Sequence, residues 1–160
     1  MPPTHHFQDA AGVHLAVGHE VCVTEWLTVG QDRIDKFAEA TGDFQWIHTD
    51  VARAKAESPY GATVAHGFLT LSLLGKFYEE YLMQAMPFSS MGVNYGLNRV
   101  RFTQPVRVNS RVRGRFVLER VEDVPRGLQL TFGVTIEIDG VDKPACIAES
   151  VVRRYLRDSS

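Results

Sequence analysis

The most apolar helical stretch of the chain covers residues 65–83. Helical spacing predicts one stripe along it, formed by Gly67, Thr70, Leu71, Leu74, Phe77, Tyr78 and Tyr81. Other apolar side chains lie on the remaining faces of its first half, so we expect that half to be buried. Its second half carries Lys76, Glu79 and Glu80 and should emerge into water. A buried helix of this kind needs a layer of other elements packed around it.

The second half of the chain has the pattern of β-strands. Apolar and polar residues alternate over residues 128–138, which is typical of a half-buried antiparallel strand. The other predicted strands cover residues 20–29, 93–103, 107–122 and 145–156. Because the later strands follow one another without intervening helices, the pattern predicts an α+β fold in which a largely antiparallel sheet wraps the long helix.

Shorter elements are predicted before the long helix. Residues 7–17 have the spacing of a short packed helix. Thr28 and Gln31 have capping-box spacing, which predicts a helix that begins at Thr28 and ends before Gly42. Residues 43–49 are expected to form a loop or a single turn. Asp50 then has the character of an N-cap, rather than of a second base, for a helix over residues 51–57.

Length and composition indicate a globular protein of ordinary type. The 160 residues are expected to form a single domain, 1–160, with 22% charged residues and a net charge of −2. This balance gives no support for nucleic-acid binding. There is no pattern of a signal peptide, and the apolar run at residues 68–74 is too short to span a membrane. We therefore expect a cytoplasmic protein without a membrane partner.

The cysteines and the early histidines indicate no special chemistry. Cys22 and Cys146 do not make a disulfide framework and are expected to be small apolar fillers in a reducing compartment. The histidines at positions 5, 6, 14 and 19 lack a third ligand at a diagnostic spacing. We therefore predict no metal site.

Titratable groups and glycines are concentrated among apolar residues in one region. Asp43 and His48 lie five residues apart in the predicted connection, and His66 precedes Gly67 at the start of the long helix. An isolated acid and histidine at this spacing are most often a cap and a packed core side chain. The surrounding sequence therefore decides whether they are catalytic.

That surrounding sequence resembles a known family. The stretch F-A-E-A-T-G-D-F-Q-W-I-H-T-D, followed by G-A-T-V-A-H-G-F-L-T, is similar to the hydratase motif of MaoC-like dehydratases, the (R)-specific enoyl-CoA hydratases. The form Q-W-I-H is similar to a subgroup that includes nodulation protein N-like sequences. Similarity continues through N-Y-G-L-N-R-V-R-F-T-Q-P-V and K-P-A-C-I-A-E-S-V-V-R. The resemblance implies a hot dog fold, in which a curved antiparallel sheet wraps a long helix, and a homodimer formed through the sheet.

The resemblance also implies an activity and its residues. The reaction is the reversible hydration of a trans-2-enoyl-CoA to an (R)-3-hydroxyacyl-CoA, in which coenzyme A is part of the substrate and no cofactor is needed. Asp43 and His48 would be the catalytic pair, and the backbone N–H of Gly67 would polarise the thioester carbonyl. Two features depart from the motif of many members, which have Asn-Pro in place of Gln45-Trp46 and, in some cases, a serine in place of Gly75. A supporting hydroxyl would then come from elsewhere, and Ser72 is one candidate.

The chemistry of hydration is consistent with these residue types. A carboxylate and an imidazole on one turn can both bond a single water, and the free pKa of histidine, about 6.5, suits proton transfer near neutrality. A glycine at a helix start offers an N–H without an intrahelical partner at the positive end of the helix dipole. Such a donor can stabilise the negative charge that develops on the thioester oxygen.

Several assignments have alternatives. We expect His66 to brace the loop before the helix rather than to contact substrate. For Gly67, tight packing of the helix against the sheet is the alternative to a role in substrate binding. Arg107, Arg111, Arg113 and Arg115 fit the solvent face of a strand better than a site for the phosphates of coenzyme A, although the sequence does not exclude such a subset. Residues that fit either an acyl tunnel or the core are Phe68, Leu71, Leu74 and Phe77.

Two rival functions share the predicted fold. An acyl-CoA thioesterase would use the same thioester pocket for hydrolysis. A non-catalytic acyl-thioester-binding module would gain stability from its ligand without turnover. The intact acid–histidine pair favours an enzyme, and hydration is the function that we predict.

Overall fold

The computed structural model describes residues 5–157. In chain order its helices are α1 Ala10–Leu15, α2 Gln31–Thr41, α3 Trp46–Thr49, α4 Val51–Glu57, α5 Gly67–Phe77 and α6 Met83–Ala85, with a π-helical turn, Tyr78–Leu82, between the last two. The strands are β1 Glu20–Val23, β2 Leu27–Val29, β3 Ser89–Phe102, β4 Ser110–Val124, β5 Gly127–Ile138 and β6 Val141–Leu156. Together, α5, the π-helical turn and α6 form the continuous central helix.

All the strands form one antiparallel sheet. The order is β1-β4-β5-β6-β3, and β2 pairs with β4 beside β1. One face of the sheet packs on the central helix, where Phe77 meets Phe116 edge-on and Phe116 in turn meets Phe132. These rings are almost fully buried. The predicted α+β architecture, with a sheet wrapped on a long helix, is confirmed.

The central helix begins later and is less buried than the sequence predicts. It starts at Gly67 because His66 has an extended backbone, with ψ of 139°. The prediction of an all-round buried first half is wrong, since Phe68 is 69% exposed and Ser72 is also exposed. The sheet covers only one side of the helix, so the opposite side remains open.

Two predictions near residues 20–30 are also wrong. The single strand predicted over residues 20–29 is interrupted, because Glu25 donates its N–H to the hydroxyl of Tyr81 at 2.9 Å instead of extending the sheet. Thr28 does not begin a helix, since it lies in β2 and Gly30 is the N-cap of α2. The side chain of Gln31 does not cap the helix and instead hydrogen-bonds to Asp35, His48 and Thr63.

Other local signals are confirmed. Gly42 ends α2 in the left-handed conformation, with φ of 78°, where glycine is favoured. Asp50 caps α4 by accepting the backbone N–H of Arg53 at 2.9 Å. Residues 43–49 contain the single turn α3, as expected. The strand predicted from residue 107 starts at Ser110, because the Arg107 backbone forms an isolated bridge with Val64.

Both cysteines are buried. Burial raises the pKa of the Cys146 thiol to about 11, so this thiol is protonated near neutrality. This agrees with the prediction of apolar fillers. Among residues 5–157, no helix is long and apolar enough to cross a membrane.

Candidate active site

His48 lies in α3 and is buried, with 7% of its surface exposed. Its Nδ1 is 2.6 Å from the backbone carbonyl oxygen of Val64. Because a carbonyl oxygen can only accept, Nδ1 must carry the proton in this hydrogen bond. In the neutral ring, Nε2 therefore keeps a free lone pair, which is the form required to accept a proton.

Asp43 follows the left-handed cap of α2 directly, so the end of that helix determines its position. Its carboxylate is exposed and accepts the backbone N–H of Gln45 at 3.3 Å, which is a long hydrogen bond. One ligand atom from each of Asp43, His48 and His66 lies within 4.8 Å of the others. A single water can therefore contact the carboxylate and an imidazole together.

His66 connects the two predicted catalytic residues. It is 3% exposed, and its ring stacks on that of His48 with 3.8 Å between centroids and 25° between planes. Its Nε2 donates to the backbone carbonyl of Asp43 at 2.9 Å. Its Nδ1 is buried and has no hydrogen-bond partner among residues 5–157. The expectation that His66 acts as a brace agrees with these contacts.

Burial controls the protonation of His48. Desolvation is the largest effect and lowers its pKa below the usual value of 6.5. The hydrogen bond to Val64 acts in the opposite direction, His66 lowers the pKa further and Asp43 raises it. His48 is therefore neutral at pH 7, as a proton acceptor must be.

Gly67 lies beside a pocket of about 280 Å³. The pocket is lined by residues of α3, the segment between α4 and α5, α5 itself, the end of β3 and the segment that follows it, including Ile47, His48, Tyr60, Gly67, Thr70, Phe102, Gln104 and Pro105. Among residues 5–157 the N–H of Gly67 has no hydrogen-bond acceptor. A Cβ atom at Gly67 would lie 2.8 Å from Cδ2 of Phe102. A larger residue at position 67 would therefore force the Phe102 ring to shift, which favours glycine here whether or not the N–H contacts a ligand.

The same three side chains are the one group in the described part of the chain that has potential metal ligands close together. The rings of His48 and His66 are stacked, so their nitrogens lie side by side instead of converging. Zinc requires ligands directed at one point about 2.0–2.2 Å away. The arrangement suits two groups that share a water better than a metal centre.

Gln31 is a supporting residue that the sequence did not reveal. Its Nε2 donates to the backbone carbonyl of His48 at 2.7 Å and to the carboxylate of Asp35 at 2.8 Å. Its Oε1 accepts the hydroxyl of Thr63 at 2.6 Å. Gln31 thus joins α2 to the backbone of His48 and to the side chain of Thr63. Capping-box spacing had suggested a local role, whereas these partners are distant in sequence.

The two hydroxyl side chains of α5 differ in their relation to the pocket that contains His48. Ser72 does not line the pocket that contains His48, and its hydroxyl donates to the Phe68 carbonyl at 2.6 Å. Thr70 is the hydroxyl residue of α5 that lines this pocket. Ser72 is therefore not the supporting hydroxyl in this arrangement.

The arginines divide into two groups. On the outer face of the sheet, ion pairs join Arg111 to Asp139, Arg113 to Glu137 and Arg115 to Glu20. This supports the prediction that these three belong to the solvent face of a strand. Arg107 differs, because it precedes β4, lies beside Gly61 and makes no ion pair among residues 5–157.

The fold and the site together define a class of protein. A long helix wrapped by an antiparallel sheet is the hot dog fold, and this example has an acid–imidazole pair beside the N-terminus of its helix. The family model described as "MaoC like domain" matches residues 13–137. The chain belongs to the MaoC-like dehydratase family.

Individual relatives agree with this assignment. The 3-hydroxyacyl-thioester dehydratase Z of Mycobacterium tuberculosis (strain ATCC 25618 / H37Rv) is 46% identical over 148 residues, which cover 92% of this chain and 96% of that protein. Nodulation protein N of Rhizobium leguminosarum bv. viciae is 47% identical over 146 residues, which cover 89% of each. The solved (R)-hydratase from A. caviae involved in PHA biosynthesis shares the fold, with a TM-score of 0.67 at 24% identity over 85% of this chain and 94% of that one.

Proposed function

We propose that this chain is a hydro-lyase that interconverts trans-2-enoyl-CoA and (R)-3-hydroxyacyl-CoA thioesters. One observation carries the proposal. The Nδ1–H of His48 is held by the Val64 carbonyl, which leaves Nε2 with a free lone pair, and a ring nitrogen of His48 lies within 4.8 Å of an Asp43 carboxylate oxygen. The 46% identity to a 3-hydroxyacyl-thioester dehydratase supports the same reaction class.

The proposed mechanism assigns a task to each group. Asp43 and His48 bind one water and orient it towards C3 of the enoyl thioester. As the water oxygen bonds to C3, one of its protons passes to this pair, and the electron pair of the double bond shifts towards the thioester oxygen. The N–H of Gly67 stabilises the negative charge there. The pair then supplies a proton to C2, so that the net addition is one H₂O.

His66 has a positioning role in this proposal. It holds the Asp43 backbone through Nε2 and supports one face of the His48 ring. Both contacts restrict the side chains that must share one water, and such restriction lowers the entropic cost of reaching the transition state.

The direct test follows the conjugated absorbance of crotonyl-CoA, which disappears on hydration. Asp43→Asn and His48→Ala are each expected to lower kcat/KM about 10²–10⁴-fold, the usual contribution of general acid–base catalysis. Chiral separation of the product identifies the configuration at C3. Full activity in both variants would refute the assignment of the site. Release of free thiol without loss of the double bond would indicate a thioesterase, and ligand-induced stabilisation without turnover would indicate a binding module.

We further propose that coenzyme A is the carrier and that Arg107 binds one of its phosphates. Arg107 is exposed, and its backbone neighbour Val106 lines the pocket. Arg111, Arg113 and Arg115 are already paired with acids, so Arg107 is the member of the group whose charge is available. A guanidinium can bind a phosphate through two parallel hydrogen bonds.

We also propose a homodimer formed through β3. This strand is at the edge of the sheet, because it pairs with β6 alone. Residues 89–98 contain no charged side chain, although edge strands are commonly protected by charge. Exposed apolar residues on this uncharged half of the strand are Met91, Val93, Tyr95 and Leu97. A second copy related by a two-fold axis would pair the two edges as antiparallel strands.

A further inference from the structure

A groove runs along the central helix on the side that faces β3. It consists of two adjoining cavities of about 240 and 120 Å³, which share Gly75, Tyr78 and Asn94. The larger cavity begins at Leu71, one residue beyond the Thr70 that lines the candidate active site. Apolar side chains in the groove are Leu71, Leu74, Leu82, Val93, Leu97 and Val152.

The far end of the groove contains a buried cation. Arg154 of β6 is 3% exposed and lines the smaller cavity. Its guanidinium contacts the hydroxyl of Ser89 and the sulfur of Met83. Its Nε–H has no acceptor, and no carboxylate lies within ion-pair distance of it, among residues 5–157. Arginine remains charged near neutrality even when buried, so the cavity carries an unpaired positive charge.

A buried charge without an opposite charge is unfavourable, and buried arginines are normally paired. Glu79 is the one acid that lines the smaller cavity. It is exposed and makes no ion pair with Arg154. Burial lowers the pKa of Arg154, and the negative charge of Glu79 acts from a distance in the opposite direction without cancelling that effect. The cavity thus offers an anion an uncompensated positive charge at this end of the groove.

We propose that this end of the groove binds a carboxylate at the far end of an acyl chain, so that the enzyme accepts thioesters whose acyl group carries a distal carboxylate. A ligand with an apolar chain and an anionic end matches apolar walls that lead to a buried cation. The α-helix rises about 1.5 Å per residue, so Gly67 and Tyr78 are roughly 16 Å apart, a distance suited to a long acyl chain. The inference rests on the proposed function for the identity of the ligand.

Binding can be tested without turnover, by thermal shift and calorimetry with decanoate and decan-1-ol as probes. Decanoate is expected to bind the wild type about ten- to hundredfold more tightly than the alcohol, as is typical for a charge-assisted hydrogen bond. Arg154→Met should remove this difference. Arg153→Met is the matched control, because Arg153 is the next residue on the opposite face and pairs with Gln129 and the Tyr95 ring.

Turnover provides a second test, with 2-dodecenoyl-CoA and its analogue that carries a carboxylate at the last carbon. Wild type is expected to have the lower KM for the carboxylate form. Arg154→Met should reduce this preference about ten- to hundredfold, whereas Arg153→Met should retain it. Exposed Glu79→Gln should increase the preference, because it removes a competing negative charge near Arg154. Replacement of a buried arginine by an apolar side chain of similar length is often tolerated, so Arg154→Met should fold.

The outcomes separate this inference from the proposed function. Equal affinity for decanoate and decan-1-ol in the wild type would overturn the carboxylate site, even if crotonyl-CoA is hydrated. The carboxylate site would also be overturned if Arg154→Met lost the dimer and the wild type did not respond to decanoate. In that case Arg154 would pair with a side-chain carboxylate of a second copy. If no enoyl-CoA is hydrated, the proposed function fails, while the decanoate result still decides whether the anion site exists.

Discussion

The imidazole ring of His66 stacks on that of His48, with 3.8 Å between the ring centroids. The same His66 side chain holds the backbone of Asp43 through Nε2. One buried residue therefore contacts both members of the proposed catalytic pair. Since it precedes Gly67, it also connects that pair to the start of the central helix. The position of the pair thus depends on a residue that needs no contact with substrate.

The pH dependence of activity should reflect the lowered pKa of His48. Because burial and then His66 disfavour the protonated ring, His48 stays neutral to a lower pH than free histidine. We expect the acid limb of kcat/KM for crotonyl-CoA below pH 6.5. His66→Gln removes the electrostatic effect by which His66 lowers the pKa of His48, so that pKa should rise and the acid limb should move to higher pH. An acid limb above pH 6.5 in the wild type would contradict this prediction.

Substitution of Gly67 should reveal how much the close approach of Phe102 matters. In Gly67→Ala the new Cβ would lie 2.8 Å from the Phe102 ring, which must shift. Overpacking of this kind typically costs about 1–3 kcal/mol, so Gly67→Ala should lower the Tm together with kcat/KM. The double variant Gly67→Ala/Phe102→Ala removes the clash and retains the N–H, and should recover the activity of Phe102→Ala alone. Unchanged stability in Gly67→Ala would argue against the clash.

Substitution of Gln31 should destabilise the segments that position His48 and Thr63. Gln31→Leu leaves the His48 carbonyl and the Thr63 hydroxyl without their partner. Each buried polar group left unpaired costs about 1–3 kcal/mol, so we expect lower stability in urea and a lower kcat. Asp35→Asn is the control, because it alters only the other N–H of Gln31. Equal losses in both variants would show that the links to His48 and Thr63 are unimportant.

The role proposed for Arg107 predicts a change in KM alone. Arg107→Ala should raise the KM for crotonyl-CoA about tenfold or more at unchanged kcat, since a phosphate contact is present in both ground and transition states. The N-acetylcysteamine thioester lacks these phosphates and should show no difference. Arg111→Ala serves as the control, because Arg111 is already paired with Asp139. Equal effects on both thioesters would exclude phosphate binding.

The proposed dimer predicts that a charge on the edge strand disrupts it. Leu97→Lys places a cation on the uncharged half of β3 and should shift the mass measured by light scattering from dimer to monomer. Leu15→Lys is the control, since Leu15 is 83% exposed on α1, away from the edge. A monomeric wild type, or a Leu97→Lys variant that remains dimeric, would contradict an interface through β3.

Local patterns in the sequence were sufficient to predict much of the fold. The period of two in β5, the left-handed glycine at Gly42 and the cap at Asp50 each depend on a few neighbouring residues. The wrong predictions concern residues whose partners are distant. Residues 20–29 read as one strand, yet the hydroxyl of Tyr81 interrupts it from the central helix. Phe68 looked buried because its neighbours are apolar, but its ring meets the half-exposed Phe102 at the end of the edge strand β3, and most of its surface stays exposed.

The sequence by itself determined the family, the class of fold, and the candidate roles of Asp43, His48 and Gly67, because these are carried by one contiguous motif. Those roles remain predictions. Only the tertiary structure decided which side chains support the motif. Gln31 contacts residues 17 and 32 positions away, and His66 reaches the Asp43 backbone 23 positions away. Periodicity and spacing describe neighbours along the chain, whereas burial and hydrogen bonding join residues that only folding brings together.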